Sequence, residues 1–237
     1  IAVILPFEEE IYRGTGVQCE FVGHPVLEEI ESLRKDKSAL RISLGLDPER
    51  PVLALLPGSR PHELKNLLPV MLDVVKKFKA EFPAYNYQFV MPVAPNVDIE
   101  KYRDYIGRLE DEDVKVKKEN AVNVLSVSDL GVIASGTATL QSAFLETPMV
   151  VIYKVSPFSY SIGKLIINVK YISLINVILG AEVVKELLQS EADAKNIMRE
   201  LKKIMLDKDY REEMINRFGI ARDMFAGKQP SRRVAEM

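Results

Sequence analysis

Two short segments carry residues suited to gripping a phosphorylated ligand. The first is Leu56-Pro57-Gly58-Ser59-Arg60-Pro61-His62-Glu63. Gly58 lets the backbone come close to a ligand, Ser59 donates a hydrogen bond or caps a helix, and Arg60 offers a planar fork that matches a diphosphate. Glu63 stands where a capping-box carboxylate would stand. The second is Ala134-Ser135-Gly136-Thr137-Ala138-Thr139-Leu140-Gln141. Small residues opening a helix make an anion-accepting N-terminus, with hydroxyl donors at Ser135, Thr137 and Thr139. Gln141 lies one turn beyond Thr137 on the same helix face, within reach of a sugar hydroxyl. Each segment also has an ordinary explanation: a strand-to-helix turn with a surface arginine, and an N-cap without a ligand. Two such loops on one sheet say more than either alone and point to a phosphorylated ligand, a nucleotide.

Other candidates are weaker. His24, in Gly23-His24-Pro25, has no cysteine or second histidine at ligand spacing, so a hydrogen-bonded turn histidine is expected and no metal site. His62 touches an anion or lies on a helix surface. The acidic run Glu8-Glu9-Glu10 reads as a solvated loop. Lys115, Lys117 and Lys118 alternate with Val114 and Val116, the pattern of an edge strand with a wet face. The chain lacks a Walker A lysine motif, GxSxG, HExxH and GxGxxG, which argues against a kinase, a serine hydrolase, a zincin or a dinucleotide enzyme.

Positioning those loops requires strands that end in them. Short apolar runs at 1–5, 19–22, 52–56, 87–91, 114–117, 129–133 and 149–153 read as strands, several of them apolar throughout and so buried on both faces. Between them, amphipathic patterns predict helices over 25–43, 62–80, 98–109 and 137–146. Strands alternating with helices imply right-handed crossovers and an α/β fold with a doubly wound, mostly parallel, Rossmann-like sheet. After about residue 157 the rhythm stops. Residues 158–179 are apolar with Lys164 and Lys170 spaced through them, which suits a membrane surface or a buried helix with its connecting loop. C-terminal helices are predicted over 180–189, 192–206 and 208–225, followed by a fraying tail over 226–237.

Composition sets the bounds. The 237 residues, 47% hydrophobic and 28% charged, suffice for one large domain or one and a half ordinary ones, and they exclude a disordered or collagen-like chain. Basic and acidic side chains number 32 and 34, for a net charge of −2, so a uniformly basic nucleic-acid binder is not expected. The single cysteine, Cys19, can form neither an internal disulfide nor a Cys-rich zinc site, and fits a reducing cytosol. The opening Ile1-Ala2-Val3-Ile4-Leu5 has no initiator methionine and no basic flank, so it is no signal peptide; it reads as a buried strand whose neighbours either come later in the chain or belong to a missing N-terminal part, the second being the preferred expectation.

Read together, Leu5-Pro6-Phe7-Glu8, Phe21-Val22-Gly23-His24-Pro25, Leu56-Pro57-Gly58-Ser59-Arg60 with Glu63, Ala134-Ser135-Gly136-Thr137-Ala138-Thr139-Leu140, Tyr171-Ile172-Ser173-Leu174 with Asn176, and Glu182 through Gln189 closely resemble lipid-A-disaccharide synthase, in family order across almost the whole chain. The resemblance implies a GT-B glycosyltransferase, two Rossmann-like domains facing a cleft. It implies inverting transfer of a diacylated glucosamine from UDP to diacylglucosamine 1-phosphate, giving a β-1,6 disaccharide without a metal or other cofactor.

On that resemblance, Arg60 is expected on the diphosphate as the electrostatic catalytic group, Gly58, Ser59, Glu63, Ser135, Gly136, Thr137 and Gln141 around the nucleotide, and Asn176 on the UDP moiety. No residue here matches the family's general base, which is expected outside this chain. Residues 1–25 are then a remnant of the acceptor domain and hinge, 26–225 the UDP-sugar-binding domain with its C-terminal helices, and 226–237 a tail. The chain departs from the family pattern at Gln141 (usually glutamate), Ile175 (usually proline) and Ala181 (usually arginine). The expected partners are UDP-diacylglucosamine, the acylated glucosamine phosphate acceptor and the cytoplasmic face of the inner membrane. The C-terminal helices cross back over the other domain or pack on a second copy as a homodimer. Competing readings are a peptidoglycan lipid-intermediate glycosyltransferase, a UDP-sugar 2-epimerase, and a non-catalytic UDP-binding or membrane-docking module.

Overall fold

The computed structural model describes residues 1–31, 33, 36–155 and 170–237. The chain begins with β1 (Ala2–Val3), α1 (Glu8–Tyr12), β2 (Glu20–Phe21), α2 (Pro25–Glu31) and α3 (Lys37–Ser43). The alternating body follows as β3 (Val52–Leu56), α4 (Pro61–Glu81), β4 (Gln88–Pro92), α5 (Arg103–Asp111), β5 (Val114–Lys117), α6 (Ala121–Ser126), β6 (Leu130–Ala134), α7 (Thr137–Phe144) and β7 (Met149–Tyr153). Beyond the undescribed segment come α8 (Leu174–Leu179), β8 (Glu186–Leu188), α9 (Ala194–Leu206), α10 (Lys208–Asp223) and α11 (Pro230–Glu236).

The main sheet has six strands in the order β5-β4-β3-β6-β7-β8, and every neighbouring pair is parallel. The doubly wound sheet expected from the sequence is therefore present. Its centre is apolar for the reason the sequence shows: β3 and β6 are buried along their whole length, with Val52, Leu53, Ala54 and Leu55 at 0% exposure. Helices must then cover both faces, because parallel strands linked by crossovers carry no solvent-facing side. On one face α4 packs with α5 and α9; on the other α7 packs with α6, α8, α10 and α2. The register of α4 matches its pattern, burying Leu64, Leu67, Leu68, Met71, Leu72, Val75 and Phe78 at helical spacing. The edge strand β5 carries Lys115 and Lys117 at partly exposed positions, as its alternation predicts.

The N-terminal residues form a second, smaller unit. β1 and β2 pair in parallel as a separate two-stranded sheet, Ala2 opposite Glu20 and Val3 opposite Phe21. Their apolar side chains join Val26 and Leu27 of α2, Leu140 and Phe144 of α7, Ile178 and Phe225 in a small core. Phe225 meets both Phe21 and Phe144 in edge-on ring contacts.

Several expectations are corrected. Residues 8–12 are helical, not a solvated loop: Glu8 Oε2 accepts from the Ile4 and Leu5 N–H groups, and Glu9 Oε1 from Phe21 N. The helix predicted over 25–43 is described as two, α2 and α3, the second capped by Asp36 accepting from Ala39 N at 2.9 Å. The 98–109 helix begins as a 3-10 turn, Ile99–Tyr102. Residues 180–189 are not a helix; the αL turn at Gly180 ends α8 and the chain extends into β8 on the sheet edge. The tail does not fray. α11 is tied to the N-terminal unit by Arg233 donating to both carboxylate oxygens of Glu20 (2.7 and 2.8 Å), by Ser231 on Glu28, and by Lys228 Nζ on the Phe21 carbonyl (3.1 Å). Of the apolar stretch 158–179, residues 158–169 lie outside the described residues; the part ending in α8 buries Ile175 completely.

His24 opens α2 as a turn histidine, its Nδ1 accepting from Val26 N at 3.1 Å. Burial lowers its pKa from the ordinary 6.5, with the Glu8 carboxylate opposing. The unfolded chain therefore takes up a proton near pH 6.5 that the folded chain refuses until lower pH. His24 thus favours folding fully at neutral pH, and that contribution is lost as pH falls below about 6.5. Urea stability of the native chain is expected to drop more steeply between pH 7 and 5 than that of His24→Asn, which keeps an acceptor but does not titrate; equal slopes would exclude this role.

Candidate functional site

The strand order reverses direction between β3 and β6. After β3 the chain moves outward through β4 to β5; it then returns to the other side of β3 at β6. Crossovers leave in opposite directions from these two neighbours, so a crevice opens beyond their carboxyl ends, where open parallel sheets receive ligands. A cavity of about 260 Å³ occupies it. It is lined by the loop after β3 (Pro57 to Arg60, with Glu63), the end of β4 (Pro92, Ala94), the lead into α6 (Glu119, Ala121) and the loop after β6 (Ser135 to Ala138). The two phosphate-suited segments of the sequence thus meet across one cavity.

The first loop is shaped by Glu63. Its side chain is 7% exposed, and Oε2 accepts from the N–H groups of Ser59 and Arg60, both at 3.0 Å. Oε1 holds Arg60 Nη1 at 3.2 Å. The turn needs Gly58 at φ +91°, and a Cβ there would lie 2.1 Å from Glu63 Oε2. Glycine is required twice over, by backbone conformation and by the carboxylate that fills the space. Pro61 sits at the first helical position, where its missing N–H costs nothing. Glu63 is accordingly a wall and brace of the cavity, while Ser59 and Arg60 stand at its rim. The Arg60 side chain is 71% exposed, leashed at one nitrogen with its remaining donors directed to solvent.

The second loop offers a helix start. Of the first N–H groups of α7, that of Thr139 donates to the Gly136 carbonyl at 3.1 Å, while those of Thr137 and Ala138 precede any intrahelical acceptor, and the helix dipole adds partial positive charge beside them. Gly136 and Thr137 are exposed there. Thr139 is fully buried, its hydroxyl donating back to the Gly136 carbonyl at 2.8 Å, and it is not among the residues lining the cavity. Ser135 lines the cavity but its hydroxyl donates to the Ile172 carbonyl at 2.8 Å.

Two expected ligand residues lie elsewhere. Asn176 is 0% exposed and fully used: Oδ1 accepts from Val183 N and Val184 N, and Nδ2 donates to the Val184 carbonyl and to Glu186. It folds the 176–186 turn and does not face the cavity. Gln141 is not among the cavity-lining residues; its Nε2 donates to Glu29 Oε2 at 3.2 Å. His62 is exposed on the first turn of α4, along a neighbouring open depression with Lys65, Lys101 and Arg103.

Sequence reading missed Glu186, which accepts from Ile172 N, Ser173 N, Ser173 Oγ and Asn176 Nδ2. It clamps from one side the segment that Ser135 holds from the other. The helical misreading of 180–189 hid it. Glu119 and Ala121 were missed because α6 was not foreseen, although Asn120, which accepts from Val122 N at 2.9 Å, is an ordinary N-cap signal. Among the described residues no group of three or more His, Cys, Asp or Glu side chains could hold a metal.

Removing the brace should loosen the loop. Glu63→Ala leaves the Ser59 and Arg60 N–H groups without their charged acceptor and is expected to cost about 2–3 kcal/mol in urea unfolding. Gly58→Ala strains φ and displaces Glu63, for a loss of about 2 kcal/mol or more. Wild-type stability in both variants would exclude the bracing role.

A family model described as lipid-A-disaccharide synthetase matches residues 1–232. The lipid-A-disaccharide synthase of Myxococcus xanthus (strain DK1622) is 39% identical over 235 residues, 98% of this chain and 60% of that protein. That of Syntrophus aciditrophicus (strain SB) is 37% identical over all 237 residues, 61% of its own length. The chain thus spans about three-fifths of the curated relatives it matches. Among solved structures, a putative UDP-N-acetylglucosamine 2-epimerase from Listeria monocytogenes superposes with TM-score 0.62 at 14% identity, over 89% of this chain and 52% of that one. The calicheamicin glycosyltransferase CalG4 gives TM-score 0.55 at 15% identity, over 99% of this chain and 51% of that one. Those likenesses concern the fold alone, a Rossmann-like α/β sheet with flanking helices. The match over residues 1–232 and the identities above place the chain in the lipid-A-disaccharide synthetase family.

Proposed function

We propose that this chain is the donor-binding half of a metal-independent, inverting lipid-A-disaccharide synthase. It would hold UDP-2,3-diacylglucosamine while the 6-hydroxyl of 2,3-diacylglucosamine 1-phosphate attacks the anomeric carbon. The bond from that carbon to the diphosphate oxygen breaks, UDP leaves with the electron pair, and the new linkage is β-1,6. The hydroxyl proton would pass to a general base supplied from outside this chain. The observation that carries the reading is the cavity at the β3/β6 switch point, with Arg60 on one side and the N-terminus of α7 on the other.

The chemistry follows from charge. Negative charge grows on the diphosphate as the glycosidic bond breaks, so groups already aimed at it favour the transition state over the bound substrate. Arg60 supplies a full positive charge, and the α7 terminus supplies oriented N–H donors. Glu63 fixes both the Arg60 backbone and one guanidinium nitrogen, limiting the reorganisation needed when the anion arrives. Acylated substrates place the working protein at the cytoplasmic surface of a membrane. No described helix is long and apolar enough to cross one.

The chain is expected to bind UDP in calorimetry and to release none from donor plus acceptor. Arg60→Ala is expected to weaken UDP binding about ten- to hundred-fold, the range for a charge-assisted contact. EDTA should leave UDP affinity unchanged. Robust disaccharide formation by this polypeptide would refute the division of labour, and an unchanged Arg60→Ala affinity would refute the site. Flotation with anionic vesicles at low salt, abolished at high salt, is the expected membrane behaviour; no flotation at low salt would dismiss it.

A further inference from the structure

Next to Arg60 the surface dips into an open depression of about 510 Å³. One wall is the first turns of α4, with Pro61, His62 and Lys65; the other runs from Glu100 to Tyr105 over the 3-10 turn and the start of α5. Tyr102 joins the walls, its hydroxyl donating to the Pro61 carbonyl at 3.2 Å. Lys65 makes no ion pair with a described residue. Lys101 leans on Asp98 at 3.4 Å and Arg103 on Asp104 at 3.9 Å, with all four side chains more than half exposed. Pairs so open to water contribute little, so both cations are free to turn to a stronger anion. Three cations, Lys65, Lys101 and Arg103, thus share the depression with two carboxylates, Glu100 and Asp104.

We propose that this depression binds the phosphomonoester of the acceptor sugar, with Lys65, Lys101 and Arg103 on the phosphate and Glu100 and Asp104 placed to accept from sugar hydroxyls. This rests on the donor-binding reading given above. The reaction brings two anions together, the donor's diphosphate and the acceptor's 1-phosphate, and each needs its own cations to sit beside the other. Arg60 lines the cavity and Pro61 begins the depression, so the two sites abut. The acceptor's hexose ring spans from the attacking 6-hydroxyl to the 1-phosphate, which sets its anion next to the diphosphate and not on top of it. A second basic depression, with Arg50, Lys79 and Lys115, lies at the amino ends of β4 and β5, the wrong end of the sheet for a molecule reacting at the cavity. The two carboxylates decide between kinds of anion. They repel a continuous anionic surface, whereas a phosphorylated sugar offers them hydroxyl donors.

The experiment adds glucosamine 1-phosphate, the acceptor stripped of its acyl chains, to the whole chain saturated with UDP, so that the cavity is already filled. Binding is read by NMR from the His62 ring; the other histidine, His24, is 7% exposed at the start of α2 and serves as the internal control. The His62 signals are expected to move and saturate while those of His24 stay in place. Lys65→Ala and Lys101→Ala should each weaken glucosamine 1-phosphate about five-fold or more, and Lys65→Arg should retain it. UDP affinity in these exposed-site variants should stay within about two-fold of native. Glucosamine without phosphate should leave His62 unmoved, and inorganic phosphate should bind more weakly than the sugar phosphate. Equal affinity for inorganic phosphate and glucosamine 1-phosphate, or native affinity in both alanine variants, overturns the proposal. No His62 response with UDP bound overturns it alone, whereas absence of UDP binding in the native chain overturns the reading beneath it as well.

Discussion

One buried carboxylate organises the site. Glu63 takes the N–H groups of Ser59 and Arg60, and so uses up donors that the start of α4 would otherwise present to an anion. It also puts a negative charge at the cavity wall, an arrangement that is unfavourable for a diphosphate taken by itself. The compensation is order. With Glu63 in place Gly58 is held at positive φ, and Arg60 is anchored at its backbone and at one guanidinium nitrogen while most of its side chain stays exposed. On the proposed donor-binding reading, the anion-binding role of a helix start passes to α7, across the cavity, where the lining residues Ser135 to Ala138 include no carboxylate. The two loops look alike in sequence and yet serve different ends. One is braced and carries a cation, while the other keeps its amides.

A second clamp extends that order to the far side of the sheet. Ile172 is held at both of its peptide groups, its carbonyl by Ser135 and its N–H by Glu186. Glu186 belongs to β8, the outermost strand, and also reaches Asn176 in α8. The end of β6 is therefore coupled to the sheet edge through a neutral hydrogen bond from Ser135 and charge-assisted ones to Glu186, a part-buried network whose strength depends on every member being present. Asn176 is a member of this clamp, with its amide fully used within it.

How much of this was legible follows from how local each signal is. The strands β3 and β7 appear with the bounds their apolar runs suggest, because a strand that must be buried leaves a short pattern bounded by polar residues and turns. The cavity loops were legible for a related reason: glycine, serine and arginine between a strand and a helix restrict the backbone in a recognisable way. What failed depended on distant contacts. Glu182 through Gln189 has helix-forming residues, yet the open edge of β7 offers hydrogen bonds that draw Glu186, Leu187 and Leu188 into a strand. Glu29 and Gln141 are 112 residues apart, and no spacing rule joins them. The tail looked frayed because its contacts, Arg233 with Glu20 and Ser231 with Glu28, span 213 and 203 residues.

Those distant tail contacts bear on how the molecule comes into being. The small core around Phe21 and Phe144 closes only with Phe225, and α11 then seals β2 through Arg233 and Lys228. On a ribosome β1, β2 and α2 would be made long before the side chains that bury them, so they must wait, partly uncovered, while the rest of the sheet is translated. The six-stranded sheet can assemble earlier from neighbouring units, but β1, β2 and α2 cannot reach their final packing until α10 and α11 have emerged.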